Sequence, residues 1–155
     1  MGTMTEETMD KSDDLPSPEE MKQMLWAHAD GTAERIIELL GGPLSSNLLT
    51  RFMEDPACLR YATEIRFTEE GLDSHQFAEP FFYTEGRDRR CMLHIHRRYA
   101  LCPEALPYFV AYMAAPIMYG DVADSDLCEH LGAMLLGEEK SAFYHRLCDF
   151  ADWRP

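Results

Sequence analysis

The sequence lacks the features that define several large classes of protein. It has no CxxC pair, and its five cysteines, at positions 58, 91, 102, 128 and 148, are odd in number. A secreted disulfide framework normally has an even and denser set, so we expect reduced thiols in a cytoplasmic protein. The N-terminus shows no basic segment followed by an apolar stretch, so no signal peptide is expected.

Long hydrophobic runs are also missing. The longest uncharged and mostly apolar stretch is 105–119, which is 15 residues long. A membrane-spanning helix needs about 20 such residues, so this stretch predicts a buried helix and no membrane partner. A kink or an end is expected at Pro116, because proline lacks the N–H that continues a helix.

Positive charge is scarce. The 155 residues contain 28 acidic and 14 basic side chains, which gives a net charge of −14, and only three of the bases are lysines. Nucleic acids and anionic membranes are bound through a positive field, so we expect neither as a partner. Hydrophobic residues make up 46% of the chain, which is ordinary for a globular protein with one core.

The acidity is concentrated at the N-terminus. The first 20 residues contain seven acids and one base. Large apolar side chains are few there, so little surface can be buried to offset the entropy of ordering the segment. We therefore predict a disordered acidic tail at 1–16 and a single α+β domain at 17–153.

The order of the expected elements indicates the fold class. Ser17-Pro18-Glu19-Glu20 is a capped helix start, and Gly41-Gly42-Pro43 ends the helical region, with a break expected at 30–32. Three strand-like runs follow, and the last third is again helical. We predict an α+β fold in which a small three-stranded antiparallel meander (about 62–99) is flanked by N-terminal and C-terminal helices. Pro80 marks the second strand as an edge strand or a bulge.

Two histidines suggest a metal site on this sheet. His94 and His96 are two apart, so on a strand they face the same side. If Gly86 and Arg87 form a two-residue turn, Glu79 lies opposite His94, and His75 shares its face. Such a ligand set suits zinc or non-haem iron, so His75, Glu79, His94 and His96 are candidate ligands. A three-residue loop would remove this register, and solvated imidazoles paired with carboxylates are the alternative.

Arginine and tyrosine provide two further candidates. Five arginines lie between residues 86 and 98, and Arg97 or Arg98 could hold an anion through its planar fork of donors. Alternatively, these arginines cover a sheet face and pair with carboxylates. Tyr108, Tyr112 and Tyr119 lie on one stripe of the C-terminal apolar helix, where they could line a pocket or an interface, or pack in the core.

Sequence motifs of common enzymes are absent: we find no GxGxxG, P-loop, GxSxG, HExxH or EF-hand loop. Three interpretations therefore stay open. The first is a non-enzymatic cytoplasmic interaction domain that binds a protein partner or forms a homodimer. The second is a metal-binding protein or metal-dependent enzyme centred on the hairpin, and the third is a binder of a small anionic ligand.

Overall fold

The computed structural model describes residues 15–73 and 75–155. The predicted tail at 1–16 therefore lies outside the described residues, except for Leu15 and Pro16. Within the described residues the protein is α+β, with five α-helices and one three-stranded sheet. The elements in chain order are α1 (Pro18–Leu40), α2 (Leu49–Glu54), β1 (Ala62–Thr68), β2 (Ala78–Glu85), β3 (Asp88–His96), α3 (Leu106–Tyr119), α4 (Ser125–Leu136) and α5 (Lys140–Ala151).

Helix α1 begins and ends where the sequence predicts. The Ser17 hydroxyl accepts a hydrogen bond from the Glu20 backbone N–H, and Gly41 ends the helix in the left-handed conformation at φ 80°. The expected break at 30–32 is wrong, because α1 is continuous. A glycine inside a helix costs only about 1 kcal/mol, and burial of neighbours such as Ala29, Ala33 and Ile36 outweighs that cost.

The hairpin of β2 and β3 has the predicted register. The strands are antiparallel, and Glu79 lies opposite His94. Gly86 has a φ of 65° in the turn between them. This conformation favours glycine over residues with a Cβ atom.

The position of β1 differs from the expected meander. The strand order is β1-β3-β2, and β1 pairs with β3 in parallel, so the sheet is mixed. A meander would place β2 in the centre, where Pro80 would lack a donor for the ladder. The central place is taken instead by β3, whose inward side chains Cys91, Leu93 and Ile95 are fully buried. The edge position expected for the Pro80 strand is therefore confirmed.

The C-terminal helices cover the inner face of the sheet and build the core with it. Helix α3 is the predicted apolar helix, and it continues past Pro116 to Tyr119 instead of ending there. The ring of Phe109 on α3 stacks on Phe77, just before β2, with centroids 4.5 Å apart. Helices α4 and α5 pack beside α3, and within the described residues no helix is long and apolar enough to cross a membrane.

Candidate functional site

The two strand histidines lie on the face of the sheet that points away from the core. His94 and His96 alternate with the buried residues of β3, so they share one face, as predicted. The His94 ring packs on Phe81 with centroids 4.3 Å apart, and its Nδ1 is 3.2 Å from the backbone oxygen of Glu70. The neighbours of His94 are thus an aromatic ring and a carbonyl group.

The remaining candidate metal ligands contact other side chains or solvent. Glu79 accepts a hydrogen bond of 2.6 Å from Gln76, His96 Nε2 lies 3.4 Å from Glu69, and His75 is exposed. Within residues 15–73 and 75–155, no three His, Cys, Asp or Glu side chains are grouped closely enough to hold a metal ion. The zinc or iron site stays a prediction from the sequence, and the geometry adds no support to it.

The two candidate anion-binding arginines contact protein groups. Arg97 Nε lies 3.4 Å from a Glu69 carboxylate oxygen. Arg98 donates hydrogen bonds to the Tyr99 hydroxyl at 2.6 Å and to the Ala151 carbonyl at 3.3 Å, at the end of α5. Arg97 therefore pairs with a carboxylate, which was the alternative to anion binding, and Arg98 connects the end of the sheet to the C-terminal helix.

The three tyrosines of α3 lie in three different environments. Tyr108 is buried and donates a hydrogen bond of 2.5 Å to Glu138. Tyr112 contacts Phe77 edge-on, and burial, with the nearby Cys128, raises its pKa to about 12. Tyr119, at the end of the helix, is half-buried and shares a hydrogen bond with His28 of α1. Tyr119 also lines an open cleft.

An apolar groove lies at the N-terminal end of α1. It has a volume of about 670 Å³ and includes Leu25 and Trp26 of α1 among its walls. Met21 is 57% exposed, Met24 63% and Val122 67% in this groove, and Leu15 just before it is 73% exposed. Grouped exposed apolar side chains of this size mark interaction surfaces, whereas single ones are ordinary.

An acidic depression adjoins this groove. The two share Lys22 and Trp26, and the depression is also lined by the carboxylates of Glu19, Asp30 and Asp126. Asp124 adds a further acid on the groove itself. An apolar surface therefore stands directly beside a surface of net negative charge, where Lys22 and Lys140, whose ammonium lies 4.0 Å from Asp126, offset part of the acidic charge.

Trp26, which lines both the groove and the depression, is held in place by contacts between α1 and α4. The Trp26 indole stacks on the His130 ring of α4, and His130 donates a hydrogen bond of 2.5 Å to Asp30 of α1. The ammonium groups of Lys22 and Lys140 lie 6.0 and 5.3 Å from the Trp26 ring centroid, within the range of cation–π attraction.

Sequence reasoning missed this surface. The spacing of Met21, Met24 and Leu25 places them on one helix face. However, the same pattern is typical of a core-facing stripe. Only the structure shows that α4 packs against the later turns of α1, where the buried residues begin at Ala29, and leaves the first turns uncovered. Val122 comes from a turn about 100 residues later in the chain, so no local pattern joins it to Met24.

Comparison with known proteins gives no assignment. No protein-family model matches the chain, and no curated protein or solved structure is detectably similar to it.

Proposed function

We propose that this protein is a non-enzymatic interaction domain whose groove binds an amphipathic helix of a partner protein, with basic residues flanking the helix's apolar face. The supporting observation is the apolar groove of about 670 Å³ beside the acidic depression. Helix-in-groove recognition uses such a surface: the apolar face of a helix enters the groove, and its charged flanks select the partner.

Charge favours a basic partner over a second copy of this chain. The whole protein has a net charge of −14, and Glu19, Asp124 and Asp126 lie at or next to the groove. Two copies meeting at this surface would bring like charges together, which costs free energy and slows association. Flexible methionines such as Met21 and Met24 can adapt to a partner's side chains.

The raised pKa values of four buried cysteine thiols support a structural role for these residues. Burial raises the pKa of Cys91 to about 11 and that of Cys128 to about 12, and burial also raises the pKa of Cys58 and Cys102. A thiol reacts as its thiolate, so these four groups stay protonated and unreactive at neutral pH. They act as small apolar side chains of the core.

The proposal is tested by titrating the protein, by calorimetry, with two synthetic amphipathic helices. Both peptides have the same leucine face, but one has lysines on its flanks and the other has glutamates. We expect saturable binding of the lysine peptide and much weaker binding of the glutamate peptide. Equal binding of both peptides, or binding of neither, would contradict the proposal.

Self-association is measured separately by size-exclusion chromatography with light scattering. A monomer is expected at micromolar concentration. A stable dimer that is lost in Met24→Gln would show that a second copy, and not a basic helix, covers the groove.

A further inference from the structure

A second cleft, on a different part of α1, has the chemistry of an anion site. It has a volume of about 330 Å³, within the usual range for small-molecule sites. Three segments of the chain form it: one face of α1, the loop that follows α2, and the C-terminal end of α3. The polar side chains in its lining are those of His28, Thr32, Arg35, Cys58, Arg60 and Tyr119.

Two arginines give the cleft its charge. Neither Arg35 nor Arg60 forms an ion pair with any Asp or Glu in the part of the chain that the structure describes, and no acid lines the cleft. Arg60 packs over the Tyr61 ring, with its guanidinium carbon 5.2 Å from the centroid. In a protein with twice as many acids as bases, two such arginines in a cleft without an acidic lining residue form a local positive field, which the Asp55 carboxylate near Cys58 reduces in part.

His28 and Tyr119 form a hydrogen-bonded polar pair in the lining of the same cleft. His28 Nδ1 and the Tyr119 hydroxyl are 2.8 Å apart, and the rings meet edge-on. If the hydroxyl donates to Nδ1, the imidazole still has its Nε2–H. If Nδ1–H donates to the hydroxyl, the hydroxyl keeps its own hydrogen and can donate it to another group. Either tautomer therefore leaves one donor for a ligand.

Three backbone N–H groups and the thiol at the cleft are not available to an anion. The N–H groups of Ala57, Cys58 and Leu59 all donate to oxygens of Asp55. Burial, with the nearby Asp55 carboxylate, raises the pKa of the Cys58 thiol, so it stays neutral. The donors that remain in the lining include the side chains of Arg35, Arg60 and the His28–Tyr119 pair.

We infer that this cleft binds the phosphoryl group of a small phosphate monoester. Guanidinium groups recognise phosphate and carboxylate alike, but here the donors come from three separate chain segments, which suits a tetrahedral group better than a planar one. The cleft is larger than a bare phosphate needs, and Pro56, Ala57 and Met118 give apolar walls to the organic part of the ligand.

The test is an NMR titration of the full chain with α-glycerophosphate, with inorganic phosphate and succinate as comparison probes. We expect amide shifts confined to 28–35, 57–60 and 118–119, and weaker binding of both comparison probes. Absence of saturable shifts at millimolar α-glycerophosphate would overturn the inference. Succinate binding as tightly as α-glycerophosphate would contradict the preference for a phosphoryl group.

Single substitutions locate the site. Arg35→Gln and Arg60→Gln should each weaken α-glycerophosphate binding about tenfold or more, because each removes charge-assisted hydrogen bonds. Arg87→Gln is the matched control, since it removes the same charge from the exposed hairpin turn, and it should change binding by less than about twofold. Equal losses in all three variants would show that only the net charge matters and would overturn the inference. Because Arg35 and Arg60 are exposed, all three variants should fold, which thermal unfolding checks.

Discussion

Trp26 of α1 and His130 of α4 stack with their ring centroids 4.4 Å apart and their planes inclined by 26°. This pair joins α1 to α4, and Trp26 lines the proposed binding surface. His130 is held from its other side by Asp30, so the orientation of the indole ring is set by residues on two helices.

The Trp26 and His130 rings should stabilise each other, and a double-mutant cycle measures this as a coupling free energy. We expect a double-mutant cycle of Trp26→Leu and His130→Leu to give a coupling free energy of about 1 kcal/mol, the usual size for a packed aromatic pair. The measurement is urea unfolding of the four proteins. A coupling indistinguishable from zero would show that the two rings are neighbours without stabilising each other.

Two helical glycines should respond in opposite ways to alanine. A Cβ atom at Gly132 of α4 would lie 2.5 Å from the ring of the buried Phe143, whereas one at Gly31 of α1 would meet nothing within 4 Å. Gly31→Ala should stabilise the protein by up to about 1 kcal/mol through helix propensity. Gly132→Ala should destabilise it by about 1–3 kcal/mol through overpacking. Thermal or urea unfolding tests both, and a stabilised Gly132→Ala variant would contradict the packing of α4 against α5.

The hydroxyl of Tyr99 should stabilise the last turn of α5. It is fully buried and donates a hydrogen bond to the Ala151 carbonyl. Tyr99→Phe should lower the free energy of unfolding by about 1–3 kcal/mol, because it removes this hydrogen bond and the one that the hydroxyl accepts from Arg98. Hydrogen exchange should show the loss of protection at the end of α5. Unchanged exchange there would mean that Arg98 alone supports this end of the helix.

His96 should make the protein less stable in mild acid. Burial, aided by the charge of Arg98, lowers its pKa although Glu69 lies 3.4 Å away and acts in the opposite direction. A histidine whose folded pKa lies below its unfolded value of about 6.5 binds fewer protons when folded. Its contribution is therefore present above about pH 6.5 and is lost as the pH falls toward the folded pKa.

The measurement for His96 compares urea midpoints at pH 7.5 and at about pH 5.5 in the wild-type protein and in His96→Gln. Carboxylates titrate in both proteins, so the difference between them isolates the histidine. We expect a smaller loss of stability in the variant. An equal or larger loss in His96→Gln would show that the Glu69 contact dominates and that the pKa is not lowered.

Local chemistry explains which parts of the fold could be predicted. The Ser17 cap, the Gly41 helix end and the Gly86 turn depend on residues next to one another, and the hairpin register followed from the turn. The parallel pairing of β1 with β3 depends on residues far apart in the chain. Pro80 indicated that β2 belongs at an edge, and applying that constraint to the whole sheet would have excluded the meander.

The candidate sites were harder to predict, because each combines distant segments. The groove joins α1 to Val122, and the cleft joins His28 to Tyr119, which are 91 residues apart. The candidates from sequence, such as His94 and His96, were neighbours in one strand. Their shared face was predictable from the pleat, and the strand of Phe81 from the hairpin, but Glu69 and Glu70 follow β1, whose placement was not.

The affinity of the lysine-flanked amphipathic peptide for a groove variant tests the central claim most directly. The variant is Met21→Gln with Met24→Gln, which removes apolar surface without changing charge or helix propensity. The matched control is Leu101→Gln, a side chain that is 70% exposed away from the groove. We predict that the double variant binds at least about tenfold more weakly, while the control binds as the wild-type protein does. Equal affinity of all three proteins would show that the peptide is held by charge alone and would contradict the proposed function.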